Sequence, residues 1–147
     1  MTDDASAAAR LPARALRETG KFAEAEQLLR DARTKLDAKN ADSQLLVIPA
    51  QTTLGRTLTE MGRAAQALPL LEAAEAMSRA RVGVDHWRTA EAQLGLGECL
   101  TAMRQFARAD TLLRVAQATL AKQRRQQPQT ATQADSALAR LRRVALR

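Results

Sequence analysis

The chain has 147 residues, enough for one domain and too few for a second of comparable size. Apolar residues make up 46% but aromatics only 2%, which suits close helix packing by Ala and Leu and excludes a ring-rich sandwich or barrel interior. The formal charge of +7 is concentrated from Ala121 onward, where seven basic residues face the single acid Asp135.

Taken in chain order, the start is acidic and no apolar segment of signal-peptide type follows it. No apolar run approaches the roughly 20 residues needed to cross a bilayer, so the chain is expected in the cytoplasm without membrane attachment. Pro12 is tolerated at a first helical position, which predicts a short helix near residues 12–18. A turn follows at 19–21, with Gly20 ending the helix. Phe22, Ala25, Leu29, Ala32 and Leu36 then step by three and four, keeping one apolar stripe over a second helix at 22–37. A polar connector at 37–44 leads to helices at 46–60 and 64–81, joined at Gly62. After a second connector at 81–88, Thr89 is the expected N-cap of a helix at 89–103. The next turn carries Arg104 where glycine would be easier, and Phe106, Ala109, Leu113, Ala116 and Leu120 mark a helix at 106–124. A third connector at 123–130 precedes a terminal helix near 132–146, rich in arginine and expected to cap the stack.

These elements are copies of one another. Leu54-Gly55-Arg56-Thr57-Leu58-Thr59-Glu60-Met61 recurs after a 42-residue step as Leu96-Gly97-Glu98-Cys99-Leu100-Thr101-Ala102-Met103. Leu16, Gly20, Ala25, Leu29 and Ala32 extend the step backwards. A fixed period of this size marks a supersecondary unit that cannot bury its apolar face alone and must stack on its neighbours. The expected architecture is all-α: an α-solenoid of about three antiparallel helix pairs plus a C-terminal capping helix, in a single domain over 1–147. Its repeats fall at about 5–46, 47–88 and 89–130, with the cap at 131–147. Cys99 lies in a repeated helix and is expected to be a small buried hydrophobe.

The Leu54-Gly55, Leu58, Ala67, Leu71 spacing and its copy at Leu96-Gly97, Leu100, Ala109, Leu113 resemble the tetratricopeptide repeat. The length of the unit makes it similar to the kinesin-light-chain type. The run Gly83-Val84-Asp85-His86-Trp87-Arg88-Thr89-Ala90 resembles that type's Gly-x-Asp-His-Pro-x-Thr-Ala connector, with Trp87 in place of Pro. The resemblance implies a right-handed superhelix whose concave groove, lined by the first helix of each pair, binds a protein or peptide. Similar arrays are common in bacteria, often C-terminal to a serine/threonine kinase domain or within a transcription regulator. The chain has no kinase or nucleotide-binding motif, so in such a protein it would be the non-catalytic regulatory part.

Groove positions in the first unit are Arg10, Arg14 and Arg17, and in the second Thr52, Arg56 and Thr59. The third unit supplies Glu91, Leu94, Glu98 and Thr101, and the terminal helix Asp135, Ala139 and Arg142. Arg14, Arg17, Arg56, Thr59, Glu91, Leu94 and Glu98 are the candidate partner-binding residues, and Arg56 and Glu98, one unit apart, are placed to pair. Kinesin-light-chain-type grooves present Asn to a peptide backbone, whereas the matching positions here are Thr52, Thr53, Leu94 and Gly95. Asp85-His86 invites an acid–base reading, yet no second His or Cys completes a metal site and no nucleophile elbow exists. No catalytic residue, metal ligand or cofactor is assigned, and the chain is read as a non-enzymatic scaffold. The basic C-terminal segment lacks aromatics for base stacking, which disfavours nucleic acid against a solubilising role or an acidic partner. With so few repeats, homodimerisation through the first unit is a further expectation.

Overall fold

The computed structural model describes the backbone of residues 13–34 and 41–146, and side chains over 20–31 and 45–146. Six helices follow in order: α1 (Ala13–Thr34), α2 (Ala41–Glu60), α3 (Ala64–Val82), α4 (Trp87–Ala102), α5 (Phe106–Lys122) and α6 (Pro128–Ala145). There is no strand among the described residues. Helices α2 and α3 form one hairpin and α4 and α5 the next; α1 packs on α2, and α6 packs on α5 and α4. One apolar interior runs from Ala25 and Leu29 of α1 to Leu138 and Leu141 of α6. This is the stacked all-α architecture that the constant sequence step predicts.

Both hairpins turn in the same way. At the first turn Arg63 N donates to Leu58 O and Gly62 N to Thr59 O; at the second, Gln105 N donates to Leu100 O and Arg104 N to Thr101 O. Each turn needs one left-handed residue. Gly62 supplies it at φ 80°, and Arg104 adopts it at φ 61° with a side chain in place.

The Leu-Gly pair acquires a physical meaning in this packing. A Cβ on Gly55 would collide with Leu71, standing 2.6 Å from its Cδ2, and one on Gly97 would stand 2.5 Å from Leu113 Cδ2. The first helix of each hairpin thus exposes bare backbone, and the leucine of the second helix seats on it. Leu71 and Leu113 are fully buried. Gly95 of α4 also lies against Leu71, so that leucine wedges between one hairpin and the next.

Three expectations change. The first pair is not a hairpin: α1 runs as one 22-residue helix straight through Gly20. Its flanks, Ala13–Thr19 and Lys21 onward, are mostly strong helix formers, and an interior Gly costs only about 1 kcal/mol. Position 13, one step before Gly55, is alanine, so the bare-backbone seat that closes the later hairpins is missing there. Residues 1–12 and 35–40, including Arg10 and part of the expected first repeat, lie outside the described residues. Helix α2 begins at Ala41, ahead of the expected start, and carries Pro49 within it.

The cap of α4 is His86, not Thr89. His86 Nδ1 accepts from Arg88 N at 3.0 Å. Thr89 is buried one turn in, donating to Gly83 O at 2.6 Å, with Ser78 Oγ 3.0 Å away. That node explains why a serine sits in the α3 stripe at a position where the repeat calls for an apolar residue. It ties the end of α3 to the start of α4, satisfying both buried hydroxyls. Cys99 is fully buried, its thiol donating to Ala64 O at 3.2 Å, and burial pushes its pKa up.

Carrying the step once more superposes α6 on α2 and α4 in sequence: Leu138 answers Leu96, Arg140 answers Glu98 and Arg142 answers Leu100. Leu138 is buried like its counterparts, whereas Arg142 is exposed where Leu100 is fully buried. Ala139 takes the place of Gly97. The inner side of α6 therefore continues the array, while its outer side is polar.

The seat predicts a measurable coupling. Leu113→Ala should cost about 2–5 kcal/mol from the cavity it leaves, and Gly97→Ala about 1–3 kcal/mol from overpacking. Because truncating Leu113 vacates the space the new Cβ needs, the double variant should lose less than the two single losses added together. Chemical denaturation of all four proteins measures the cycle, and strict additivity would refute the seat.

Candidate functional site

The face shared by α2, α4 and α6 is recessed. A cleft of about 270 Å³ lies among Arg56, Thr59 and Glu60 of α2, Glu98 and Thr101 of α4, the turn residue Arg104, and Ala137 and Arg140 of α6. A second, of about 340 Å³, shares Arg56 and Glu60 with it and extends to Glu91 and to Lys21, Glu24 and Leu28 of α1. A third, of about 200 Å³, shares Glu91 and reaches Trp87, Arg88 and Pro49. Through these shared residues the three clefts adjoin one another, and together they are called the groove below.

Arg56 sits at its centre. Its Nε donates to Glu98 Oε1 at 2.8 Å, joining equivalent positions of successive hairpins. Its stem crosses the backbone of Gly95, where an added Cβ would lie 2.9 Å from Arg56 Cγ. Gly95 is thus the gap through which an arginine of one hairpin reaches the next. The pair is partly shielded, with side-chain exposures of 22% and 34%. Coulomb attraction in such a setting contributes about 1 kcal/mol or less to stability, so its main effect is to fix geometry.

The carboxylates of α4 feel the recess. Burial raises the Glu98 pKa against the opposing pull of Arg56 and Arg140. Burial likewise raises that of Glu91, opposed by Arg56 and Arg88. The hydroxyls of Thr59 and Thr101 donate to the carbonyls of Gly55 and Gly97 at 2.9 and 2.8 Å, leaving only their lone pairs to face the cleft. In the first cleft the donors available to a ligand are therefore the guanidinium groups of Arg56, Arg104 and Arg140. Arg104 holds its guanidinium 5.1 Å from the Phe106 ring, a cation–π contact made at the left-handed turn.

Of the candidates, Arg56, Thr59 and Glu98 meet in the first cleft, and Glu91 lies with Arg56 in the second. Leu94 does not belong to the groove: it is fully buried in the common interior. Its placement one turn from Glu98 on the helical wheel misleads, because α4 is covered by neighbours on more than one side. The side chains of Arg14 and Arg17 lie outside the described residues. On α6, Arg140 lines the cleft in place of the expected Ala139 and Arg142. Asp135 instead ties α6 to α5, accepting from Gln117 at 2.8 Å and Arg124 at 2.9 Å, contacts that hold its carboxyl below the ordinary range. Glu60, Arg104 and Arg140 are groove residues that the sequence pattern did not single out. A signal for Arg140 does exist, since Arg56, Glu98 and Arg140 are separated by the same repeat step.

No cluster of three His, Cys, Asp or Glu capable of holding a metal exists among the described residues. No helix among them is long and apolar enough to cross a membrane.

A family model for the tetratricopeptide repeat matches residues 46–122, just over half of the chain, and a second model with the same description matches 13–35. The chain belongs to the tetratricopeptide repeat family. No curated protein and no solved structure gives a significant match. Repeats of this family generally mediate protein–protein interaction and are typically non-catalytic.

The raised Glu91 carboxyl has a sign that can be checked. The folded state holds the Glu91 proton more tightly than the unfolded chain does, so ionisation of this group opposes folding. That penalty is fully present above the raised folded pKa and is relieved as pH falls through it towards the unfolded value. Glu91→Gln should therefore raise the melting temperature at pH 7, and its advantage should shrink as the pH is lowered to about 4. A constant difference across that range would contradict the assigned burial.

Proposed function

We propose that this protein is a non-catalytic scaffold that binds a segment of a partner protein in the groove formed by α2, α4 and α6. The observation that carries this reading is the Arg56–Glu98 bridge across the groove floor. It locks successive hairpins into one preformed surface with polar groups at a regular spacing. A preformed surface spares the scaffold the cost of ordering on binding, so modest contacts can hold an extended segment.

The length of the repeat unit and the His86-capped connector support the kinesin-light-chain type of repeat. The gripping chemistry departs from that type, however. At the positions where that type offers amides to a peptide backbone, this chain has Thr52 and Thr53, a Leu94 buried in the interior and a Gly95 given over to the passage of Arg56. What remains to hold a partner is largely charge: Lys21, Glu24 and Glu91 towards α1, and Arg104 and Arg140 towards α6. We place the protein in the cytoplasm, as a single array over the chain.

Plugging the groove tests the assignment. Glu60→Trp combined with Arg140→Trp fills the recess from two exposed positions, and Arg125→Trp, outside the groove, is the control. Proteins captured from lysate by the wild type and by the control should be lost from the plugged variant. Equal capture by all three would sink the groove as the binding surface.

A further inference from the structure

Helix α1 leaves one of its sides uncovered. Lys21, Glu24 and Leu28 lie on that side and line one cleft with residues of α2. All three are exposed, Leu28 at 55%, whereas its repeat counterparts Leu70 and Leu112 are half-buried against the common interior. The difference has a structural cause. In the later units a first helix turns back to cover its second. Helix α1 instead runs straight through Gly20, and among the described helices only α2 packs on it extensively.

Straightness turns this side into a continuous seam. Steps of three and four run along Arg14, Arg17, Lys21, Glu24, Leu28 and Asp31, the spacing at which paired helices meet. Its first half is wholly basic, and its second half carries the acids. A seam in this order complements its own reverse. In an antiparallel pair about a two-fold axis, Lys21 meets Glu24 of the second copy and Arg14 meets Asp31, each contact occurring twice. Leu28 meets Arg17, whose aliphatic stem covers it while the guanidinium stays in water. A parallel pair would set every charge against its like. Neither Lys21 nor Glu24 bonds to a described side chain, so both charges are available. Asp31 is exposed and accepts from Gln27 at 2.9 Å, while Glu26 and Arg30 pair with each other off the seam. The cleft also contains Glu60 and Glu91 against Arg56, which Glu98 already holds. Its remaining charge therefore favours the basic half of a second α1.

We propose that this face is a self-association surface: two copies pair α1 against α1 in antiparallel fashion, the basic half of each seam on the acidic half of the other. The second copy's helix then lies where the later units hold their first helix against their second. The cover that a straight α1 cannot give itself comes from its twin. One helix pair makes a small contact and its ion pairs stay near water, so the dimer is weak and depends on concentration. Its readout is the mass of the pure protein in solution, which is independent of whether the groove captures a partner.

The test is sedimentation velocity on the full chain over roughly a hundredfold range of concentration. The wild type should pass from monomer to dimer, and the dimer should weaken as salt rises. Lys21→Glu and Glu24→Lys should each lower the association constant about five- to thirtyfold, because two seam contacts per dimer turn repulsive. An equal mixture of these two variants should associate as the wild type does, since every reversed charge then meets its opposite. Leu28→Lys, which sets a cation against Arg17 of the second copy, should weaken association to a similar degree. Arg142→Glu, on the outer side of α6, should change little. The proposal is overturned if the wild type stays monomeric throughout, the outcome expected if another segment or another protein covers this face. It is equally overturned if the single reversals associate like the wild type, or if their mixture is no tighter than either alone. A loss on Arg142→Glu would place the contact on α6 and overturn it too. Should either reversal fail to fold, Leu28→Lys decides alone, and undiminished association of that variant sinks the proposal.

Discussion

Leu71 and Leu113 reach the backbone of their partner helices only because residues 55 and 97 carry no Cβ. The added atom would fall within 2.6 Å of a leucine methyl carbon, well inside contact distance. Two helices that approach this closely bury small side chains efficiently, which is how a chain with 2% aromatics builds a continuous interior. The constraint propagates. Seating Leu71 fixes α3 on α2, and the same leucine meets Gly95 of α4, so the spacing between hairpins follows from the packing within them. The groove is a consequence: once α2, α4 and α6 are set at regular intervals, positions 56, 98 and 140 share one face.

Much of this is legible because the repeat is written twice in full. The period exposes both hairpins, the left-handed need at positions 62 and 104, and the pairing of Arg56 with Glu98. These are properties that depend on a residue's place within the unit, and the unit is what sequence comparison recovers. The third copy, α6, is harder to align because its outer side is polarised: Arg142 replaces Leu100, and the apolar pattern that guides the eye is thinned to half. That is why the pattern points to Ala139 and Arg142 as groove residues and passes over Arg140.

Other features escape for reasons of tertiary context. The burial of Leu94 depends on α4 being flanked by neighbours on several sides, which a single amphipathic stripe does not reveal. The helix through Gly20 depends on what lies opposite it. Glycine permits a turn without requiring one, and with Ala13 at the seat position the reversal has no packing to reward it. His86 takes the cap because its ring nitrogen can accept from the backbone of Arg88, while Thr89 is drawn inward by Gly83 and Ser78. In each case the local signal is real and a partner elsewhere in the chain decides the outcome.

Ala139 bears on how such an array could be lengthened. A further rod approaching α6 as α5 approaches α4 would meet a methyl group where α4 offers bare backbone, and Arg142 where α4 offers Leu100. One methyl and one guanidinium thus make this side of the molecule inhospitable to self-extension without weakening the side that faces inward. An engineer adding units to the stack would have to revert both positions, to glycine and leucine, before any new helix could settle.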